Sequence, residues 1–307
     1  MMKQFRQLCV FSVLLSAMIW FLADSVHLRS AAVEALSLCA RSVIPALFPF
    51  LVVSSLLVRL GFANWVTPWC SGLMASLFRL PGHAGSALIL GLVAGYPVGA
   101  RTAADLYRSR LLTRDEAQRL TTFCNNSNPV FLISVLGSGV FHSVRIGVWL
   151  WLIHVASAIL TGILFRGRQG TGVHRSIPLP PASAPPPFFS AFVASVRSAA
   201  ETMLSVCAFV TLFYTLTSPL SASRSPLGGV LVGGLELFSL SPLLSNDSFS
   251  FLAAAGCSGW GGLSVLCQTA AALGDSGLSL RSCALGKLCQ SLLSVLLALP
   301  VSVWLFP

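Results

Sequence analysis

Charge is scarce in this 307-residue sequence, and its scarcity excludes most soluble folds. Only 9% of the residues are charged, whereas soluble domains carry about 25%. Hydrophobic residues make up 55% of the chain, and the mean hydropathy is +0.83. A soluble domain of this size cannot bury that much apolar surface. The composition therefore predicts an all-α, polytopic membrane protein.

Sequence signatures of catalysis are also missing. The chain contains no H-E-x-x-H, no G-x-S-x-G and no glycine-rich phosphate loop ending in Gly-Lys-Ser/Thr, so we expect neither an enzyme nor an ATP-driven motor. Its nine cysteines form no C-x-x-C pair and have no clustered histidines, so we expect no metal, no cofactor and no catalytic residue. The net charge of +10 comes from arginines scattered between apolar segments, which argues against a nucleic-acid partner.

Long apolar runs account for most of the chain. Four uncharged runs predict spanning helices: Gln7–Ala23 and residues 146–165, 202–223 and 288–307. Five more contain Pro, Gly or Asn, and these could be hairpins, half-helices or kinked spans: residues 42–58, 60–78, 80–100, 120–144 and 248–274. We expect roughly eight spanning or broken, re-entrant helices. The first run lacks a clean cleavage site and is predicted to be an uncleaved helix.

A composition change divides the chain in two. Residues 166–187 are rich in proline and polar residues, which is typical of an extended linker. The predicted organisation is a first membrane half (residues 1–165), this linker, and a second membrane half (residues 188–307). Lys3, Arg6 and the basic clusters at residues 101–119 and 166–175 favour a cytoplasmic N-terminus, provided that an even number of crossings separates the two clusters.

Polar breaks interrupt the apolar sequence at corresponding places in the two halves. In the first half they are residues 95–101 and 124–129, and in the second half they are residues 233–236 and 259–264. Gly95 precedes Asn125 by 30 residues, and Gly233 precedes Gly261 by 28. Unwound backbone is tolerated at membrane depth only beside protein or water, so paired breaks point to a transporter's binding site.

The first-half breaks supply hydrogen-bonding groups and one cation. Asn125, Asn126, Ser127 and Asn128 form a polar row before an apolar run, and the N-terminus of the following helix would attract anions. A loop outside the bilayer is the alternative for this row. Arg101 could bind a carboxylate through its planar guanidinium, or it could be an interfacial anchor.

Three polar residues of the second half complete the candidate site. Glu236 is the one acidic residue between Thr202 and Asn246, and an intramembrane carboxylate indicates function. It could pair with an arginine, bind a coupling proton or cation, or lie in a loop. Ser264 and Gln268 could share one helix face beside it, although Gln268 could equally form a helix-to-helix hydrogen bond.

These motifs resemble those of the YlbJ-type sporulation integral membrane proteins, which belong with the nucleoside-recognition Gate domains. The likeness covers nearly the whole chain and is carried by residues 45–50 (PALFPF), 95–101 (GYPVGAR), 125–131 (NNSNPVF) and 261–265 (GGLSV) with Gln268. Glu236 departs from the family pattern, because Leu237, Phe238 and Ser239 follow it in place of Thr and Gly. The resemblance implies hairpins and broken helices around a substrate site, and a role in endospore formation.

The resemblance further implies movement of dipicolinate across the membrane around the developing spore. Helix N-termini and Arg101 would favour the carboxylates of this aromatic dianion, and Tyr96 could stack on its ring. The expected partners are this anionic substrate and the lipid bilayer, together with a second copy of the chain or other sporulation membrane proteins. A nucleoside transporter and a non-transporting scaffold for spore cortex assembly are the alternatives.

Overall fold

The computed structural model of the chain is built from helices. It describes residues 2–167, 186–221 and 226–306, and these contain no strand. This confirms the predicted all-α class. The α-helices are α1 (Met2–Ala23), α2 (Ser25–Leu38), α3 (Ile44–Arg59), α4 (Phe62–Leu73), α5 (Ala84–Val93), α6 (Val98–Arg108), α7 (Arg114–Leu120), α8 (Val144–Leu164), α9 (Phe188–Ser221), α10 (Pro226–Leu235), α11 (Ser248–Trp260), α12 (Gly262–Leu273) and α13 (Leu280–Leu305).

Tighter or wider helical turns join several of these helices. Wider π-helical turns occur at Cys39–Val43, Met74–Phe78 and Phe131–Val140, and 3₁₀ turns occur at Phe238–Leu243 and Gly274–Ser276. The first of these turns lets α2 and α3 run on as one apolar stretch, Ser25–Arg59. The interrupted run predicted at residues 42–58 is thus the second part of a longer helix.

Five helical stretches in the described residues are long and apolar enough to cross a membrane: Ser25–Arg59, Val144–Leu164, Phe188–Ser221, Ser248–Ser276 and Leu280–Leu305. The chain is an integral membrane protein with several crossings. By contrast, α5, α10 and Phe131–Val140 have ten residues each. At about 1.5 Å per residue such helices reach only about halfway across a 30 Å hydrocarbon layer.

Two spanning helices begin earlier than their charge-free runs suggest. Helix α9 begins at Phe188, not at residue 202, and α13 begins at Leu280, not at residue 288. The predicted starts were wrong because a charged residue, Glu201 or Lys287, was taken as a boundary. Glu201 is exposed on its helix, and Lys287 is hydrogen-bonded inside the protein.

The two sequence halves interleave in space. Helix α9 of the second half packs against α2 and α3 of the first, and α13 packs against α8. The stretch Ser25–Arg59 and α9 are antiparallel, because Tyr214 bonds to Glu34 near one end while Arg59 and Phe189 line one cavity near the other. Residues 168–185 of the predicted linker lie outside the described residues, and the proposed half boundaries stay a prediction.

Candidate functional site

In each half the two sequence breaks meet. The first half turns at Gly95, where φ is +86° and an added Cβ would lie 2.9 Å from Cβ of Asn128. The second half turns between α11 and α12, where φ of Gly262 is +90° and an added Cβ would lie 3.1 Å from the Leu235 carbonyl oxygen. Only glycine adopts such backbone readily.

The breaks of the two halves also contact each other. The Tyr96 hydroxyl donates a hydrogen bond to the Ser258 carbonyl oxygen at 2.8 Å. Asn125 Nδ2 donates to Thr269 Oγ1, also at 2.8 Å. All four breaks therefore form one polar centre inside the helical bundle.

Members of the asparagine row divide into two roles. All four side chains are buried. Asn126 bonds within the protein at both ends, with Nδ2 donating to the Phe123 carbonyl oxygen at 2.8 Å and Oδ1 accepting from Gln290 Nε2 at 2.9 Å. Asn128 Oδ1 accepts from the Phe131 backbone N–H at 2.7 Å. Asn125 and Asn126 thus hold the break against other helices, while Ser127 and Asn128 face a cavity.

An enclosed cavity lies where the breaks meet. Its volume of about 20 Å³ holds about one water molecule. Its polar lining comes from Tyr96, Ser127, Asn128 and Gln268, and no charged side chain lines it. Most of its surface is apolar and comes from six residues, namely Leu47, Phe131, Val206, Leu237, Phe238 and Val265.

A larger cavity opens on one side of this centre. It has a volume of about 370 Å³ and is lined by Arg59, Arg101, Asp105 and Arg108 among others, and we call it the arginine vestibule. Arg101 Nη1 donates to Thr202 Oγ1 at 3.1 Å. An adjoining space of about 320 Å³ shares Arg101 and extends to Gln268. Because Gln268 also lines the enclosed cavity, one side chain separates the adjoining space from that cavity.

A second large cavity opens toward the other end of the bundle. It has a volume of about 660 Å³, and we call it the serine vestibule after the five serines that line it: Ser30, Ser218, Ser221, Ser239 and Ser245. Glu34 and Tyr214 also line it, and the Tyr214 hydroxyl bonds to Glu34 Oε2 at 3.3 Å.

The three cavities follow one another along α9. The arginine vestibule contacts it at Thr202, the enclosed cavity at Val206, and the serine vestibule at Ser218. Thr202 and Ser218 are separated by about 24 Å of helix at 1.5 Å per residue. The antiparallel stretch Ser25–Arg59 meets the same cavities in reverse order. The three cavities therefore lie in a row that spans most of the membrane thickness. The small enclosed cavity at the centre of this row separates the two vestibules.

The predicted residues of the second half lie beside this line. Ser264 is buried and accepts a hydrogen bond from Gln268 Nε2 at 3.3 Å. Glu236 is buried immediately before Leu237 and Phe238, two residues of the enclosed cavity. Its Oε2 accepts from the Ser239 backbone N–H at 2.6 Å and from Ser239 Oγ at 2.9 Å.

Sequence reasoning missed a polar layer behind the asparagine row. Lys287 Nζ donates to the Asn125 carbonyl oxygen at 3.0 Å and to Gln290 Oε1 at 2.7 Å, and it lies 4.9 Å from the centre of the Tyr96 ring. His154 Nε2 accepts from the Ser127 backbone N–H at 3.0 Å. The spacing of Lys287, Gln290 and Ser294 along one face of an apolar helix was the available signal.

Arginines collect at the end of the bundle where the arginine vestibule opens. Arg79 donates to the Gly167 carbonyl oxygen after α8, and Arg114 donates to the Gly277 carbonyl oxygen before α13. These bonds place several loops on one face, which carries Arg79, Arg101, Arg108, Arg110, Arg114, Arg119, Arg166 and Arg281. Arg29 and Arg145 lie near the helix ends of the opposite face.

Comparison with known proteins agrees with the resemblance seen in the motifs. Residues 40–147 match the Gate family model, described as nucleoside recognition, and this region contains both first-half breaks. The chain is 30% identical over 235 residues to the sporulation integral membrane protein YlbJ of Bacillus subtilis (strain 168). The match covers 69% of this chain and 58% of that protein, so the chain spans less than two thirds of the relative's length. No solved structure matches. The predicted resemblance is confirmed, but over 69% of the chain and not over nearly all of it.

Proposed function

Because the chain is a relative of a sporulation integral membrane protein and matches the nucleoside-recognition Gate model, we propose that it is a membrane carrier for a small organic solute. One observation carries this proposal. A small enclosed cavity, mostly apolar but reached by four polar residues, lies where the helix breaks meet, with a vestibule toward each end of α9. A carrier needs a central site that can open to either side in turn, and broken helices supply the movable backbone for it.

Dipicolinate is the proposed substrate, and the membrane around the developing spore is the proposed location. The arginine vestibule presents Arg59, Arg101 and Arg108 to an approaching anion. Tyr96, Phe131 and Phe238 offer ring surfaces at the enclosed cavity. A flat aromatic dicarboxylate suits these two sets of groups, because guanidinium groups bind carboxylates and aromatic side chains contact an aromatic ring. Movement of the Gln268 side chain would join the enclosed cavity and the adjoining space of about 320 Å³ into one site large enough for dipicolinate.

A nucleoside is the second candidate substrate. The enclosed cavity has amide, hydroxyl and aromatic groups but no cation in its lining. Such a lining suits the neutral hydrogen-bonding groups and flat base of a nucleoside, and transfer of a dianion into it without a partner is costly. The two substrates therefore differ in whether they require Arg101.

Replacement of Arg101 by glutamine distinguishes the candidates. We expect initial dipicolinate uptake into proteoliposomes to fall about tenfold or more, because a hydrogen bond to a charged group contributes about 1.5–3 kcal/mol and 1.4 kcal/mol is a factor of ten. Nucleoside uptake should not change. Arg281→Gln, an exposed arginine outside the vestibule, is the control and should leave both activities intact.

The two uptake measurements distinguish dipicolinate transport, nucleoside transport and a scaffold function. Nucleoside uptake without dipicolinate uptake would replace the proposed substrate. If a folded, reconstituted protein moves neither solute, the scaffold function becomes the better explanation. Equal dipicolinate uptake by Arg101→Gln and the unchanged protein would remove Arg101 from the site.

The distribution of arginines also predicts the orientation. Cytoplasmic loops carry an excess of Lys and Arg, so we expect the arginine vestibule to open to the cytoplasm and the serine vestibule to the opposite side. In intact cells a membrane-impermeant maleimide should label Ser245→Cys but not Arg281→Cys, with the unchanged protein as background. The reverse pattern of labelling would contradict this orientation.

A further inference from the structure

Glu236 buries a carboxyl group at the break between α10 and the following 3₁₀ turn. The side chain has no exposed surface. Both of its hydrogen bonds from Ser239 reach Oε2, while Oε1 has no partner among the described residues. One oxygen is therefore fixed by the protein, and the other remains open to a ligand.

No cation in the described part of the chain neutralises this carboxyl group. The two ion pairs there, Arg108 with Asp105 and Arg119 with Asp115, lie at the arginine face. Among the described residues, the polar groups nearest Glu236 are the thiols of Cys39, Cys207 and Cys257, the hydroxyls of Thr211 and Tyr214, and Glu34 behind Tyr214. His27 lines the serine vestibule together with Ser239. An unpaired charge is costly at such a site, so binding of a proton is favoured.

The serine vestibule comes within one side chain of the carboxyl group. Ser239, which donates both hydrogen bonds to Glu236, also lines that vestibule. On the other side, Leu237 and Phe238 follow Glu236 directly and line the enclosed cavity. A proton can therefore be exchanged on one side, while the resulting change of charge acts on the wall of the substrate site.

From this placement we infer that Glu236 is the proton-binding site that couples transport to a pH gradient, with the proton exchanged through the serine vestibule. The inference rests on the proposed carrier function. When Glu236 is ionised, its charge disfavours an anion next to Leu237 and Phe238 and strengthens the hydrogen bonds that hold the break closed. When Glu236 is protonated, both effects weaken, so that loading of the proton and movement of the substrate are linked.

The test uses the full chain in proteoliposomes, with the membrane potential clamped and radiolabelled dipicolinate as the probe. A gradient of about one pH unit should change dipicolinate accumulation by up to about tenfold for each coupled proton. In Glu236→Gln, which keeps the shape of the neutral acid, accumulation should no longer respond to the gradient. Exchange of internal for external dipicolinate should persist in this variant, because exchange needs no net proton movement.

Asp275→Asn is the matched control, since it removes an exposed carboxylate that lines none of the three cavities and leaves Glu236 unchanged. Its response to the gradient should equal that of the unchanged protein. Should Glu236→Gln fail to fold, a hydrophobic carbodiimide, which reacts with buried protonated carboxyl groups, provides a second readout on the unchanged protein. It should modify Glu236, and the modified protein should lose the gradient response.

Three results would overturn the inference: uptake that ignores the pH gradient, uptake that responds to a sodium gradient instead, or a Glu236→Gln protein that is still coupled. A complete lack of dipicolinate and nucleoside movement by the unchanged protein would overturn the carrier function itself, and the inference with it. The exchange measurement, which is independent of any gradient, separates these failures.

Discussion

Gly91→Ala is expected to abolish recovery of folded protein. The carbonyl oxygen of Cys124 lies between α5 and α6, where a Cβ added to Gly91 or to Gly99 would overlap it. Both sides of this contact are backbone, so no side chain can rotate away. Overpacking a core commonly costs about 1–3 kcal/mol even where side chains can adjust, and here the cost should be larger. The added methyl group would force the break at residues 124–129 out of the centre of the bundle.

Size-exclusion chromatography and thermal unfolding in detergent measure this effect. Gly72→Ala in α4 is the control, because no atom lies within 4 Å of a Cβ added there. This control should elute normally and should be unchanged or more stable, since alanine favours a helix over glycine by about 0.5–1 kcal/mol. A Gly91→Ala protein that elutes and unfolds like the unchanged protein would contradict the described packing.

Lys287→Met should give the second largest loss. The substitution leaves the Asn125 carbonyl oxygen and Gln290 Oε1 without the donors described above. A buried polar group without a partner costs about 1–3 kcal/mol, so the free energy of unfolding should fall by about 2–6 kcal/mol. Tyr96 loses the cation beside its ring as well, and dipicolinate uptake should decrease together with stability.

Arg281→Met provides the comparison within the same helix. Arg281 is exposed at the start of α13, and exposed substitutions commonly change stability by less than about 0.5 kcal/mol. Unfolding of both variants in detergent, followed by fluorescence or by circular dichroism, gives the difference. Equal stability of the two variants would show that Lys287 does not hold the asparagine row.

The membrane class and the positions of the breaks were accessible from sequence because each depends on local composition. Apolar runs of sufficient length require a bilayer, and Gly95, Gly261 and Gly262 mark backbone that other residues adopt with difficulty. The spacing between breaks then indicated that they belong together. Their convergence into one centre is visible only in the structure, through bonds such as that of Tyr96 to Ser258.

The partners of the polar residues could not be predicted in the same way. Asn125 and Asn126 look equivalent to Ser127 and Asn128 in sequence, yet the first two bond to α12 and α13 while the last two line the cavity. Arg101 lines the arginine vestibule, since α6 carries it away from the turn at Gly95. Such differences depend on which distant helix faces each side chain, and a single sequence does not show which helices pack together.

Interleaving of the halves has a consequence for biosynthesis. Asn125 enters the bilayer well before the ribosome has made Thr269, its hydrogen-bond acceptor 144 residues later. During this interval the nascent first half holds polar backbone and amide groups in lipid without their final partners, so it needs water, a chaperone or the insertion machinery to shelter them. Synthesis of α13 delivers Lys287 and Gln290 after the other partners, and the insertion of this helix is thus the event that seals the polar centre.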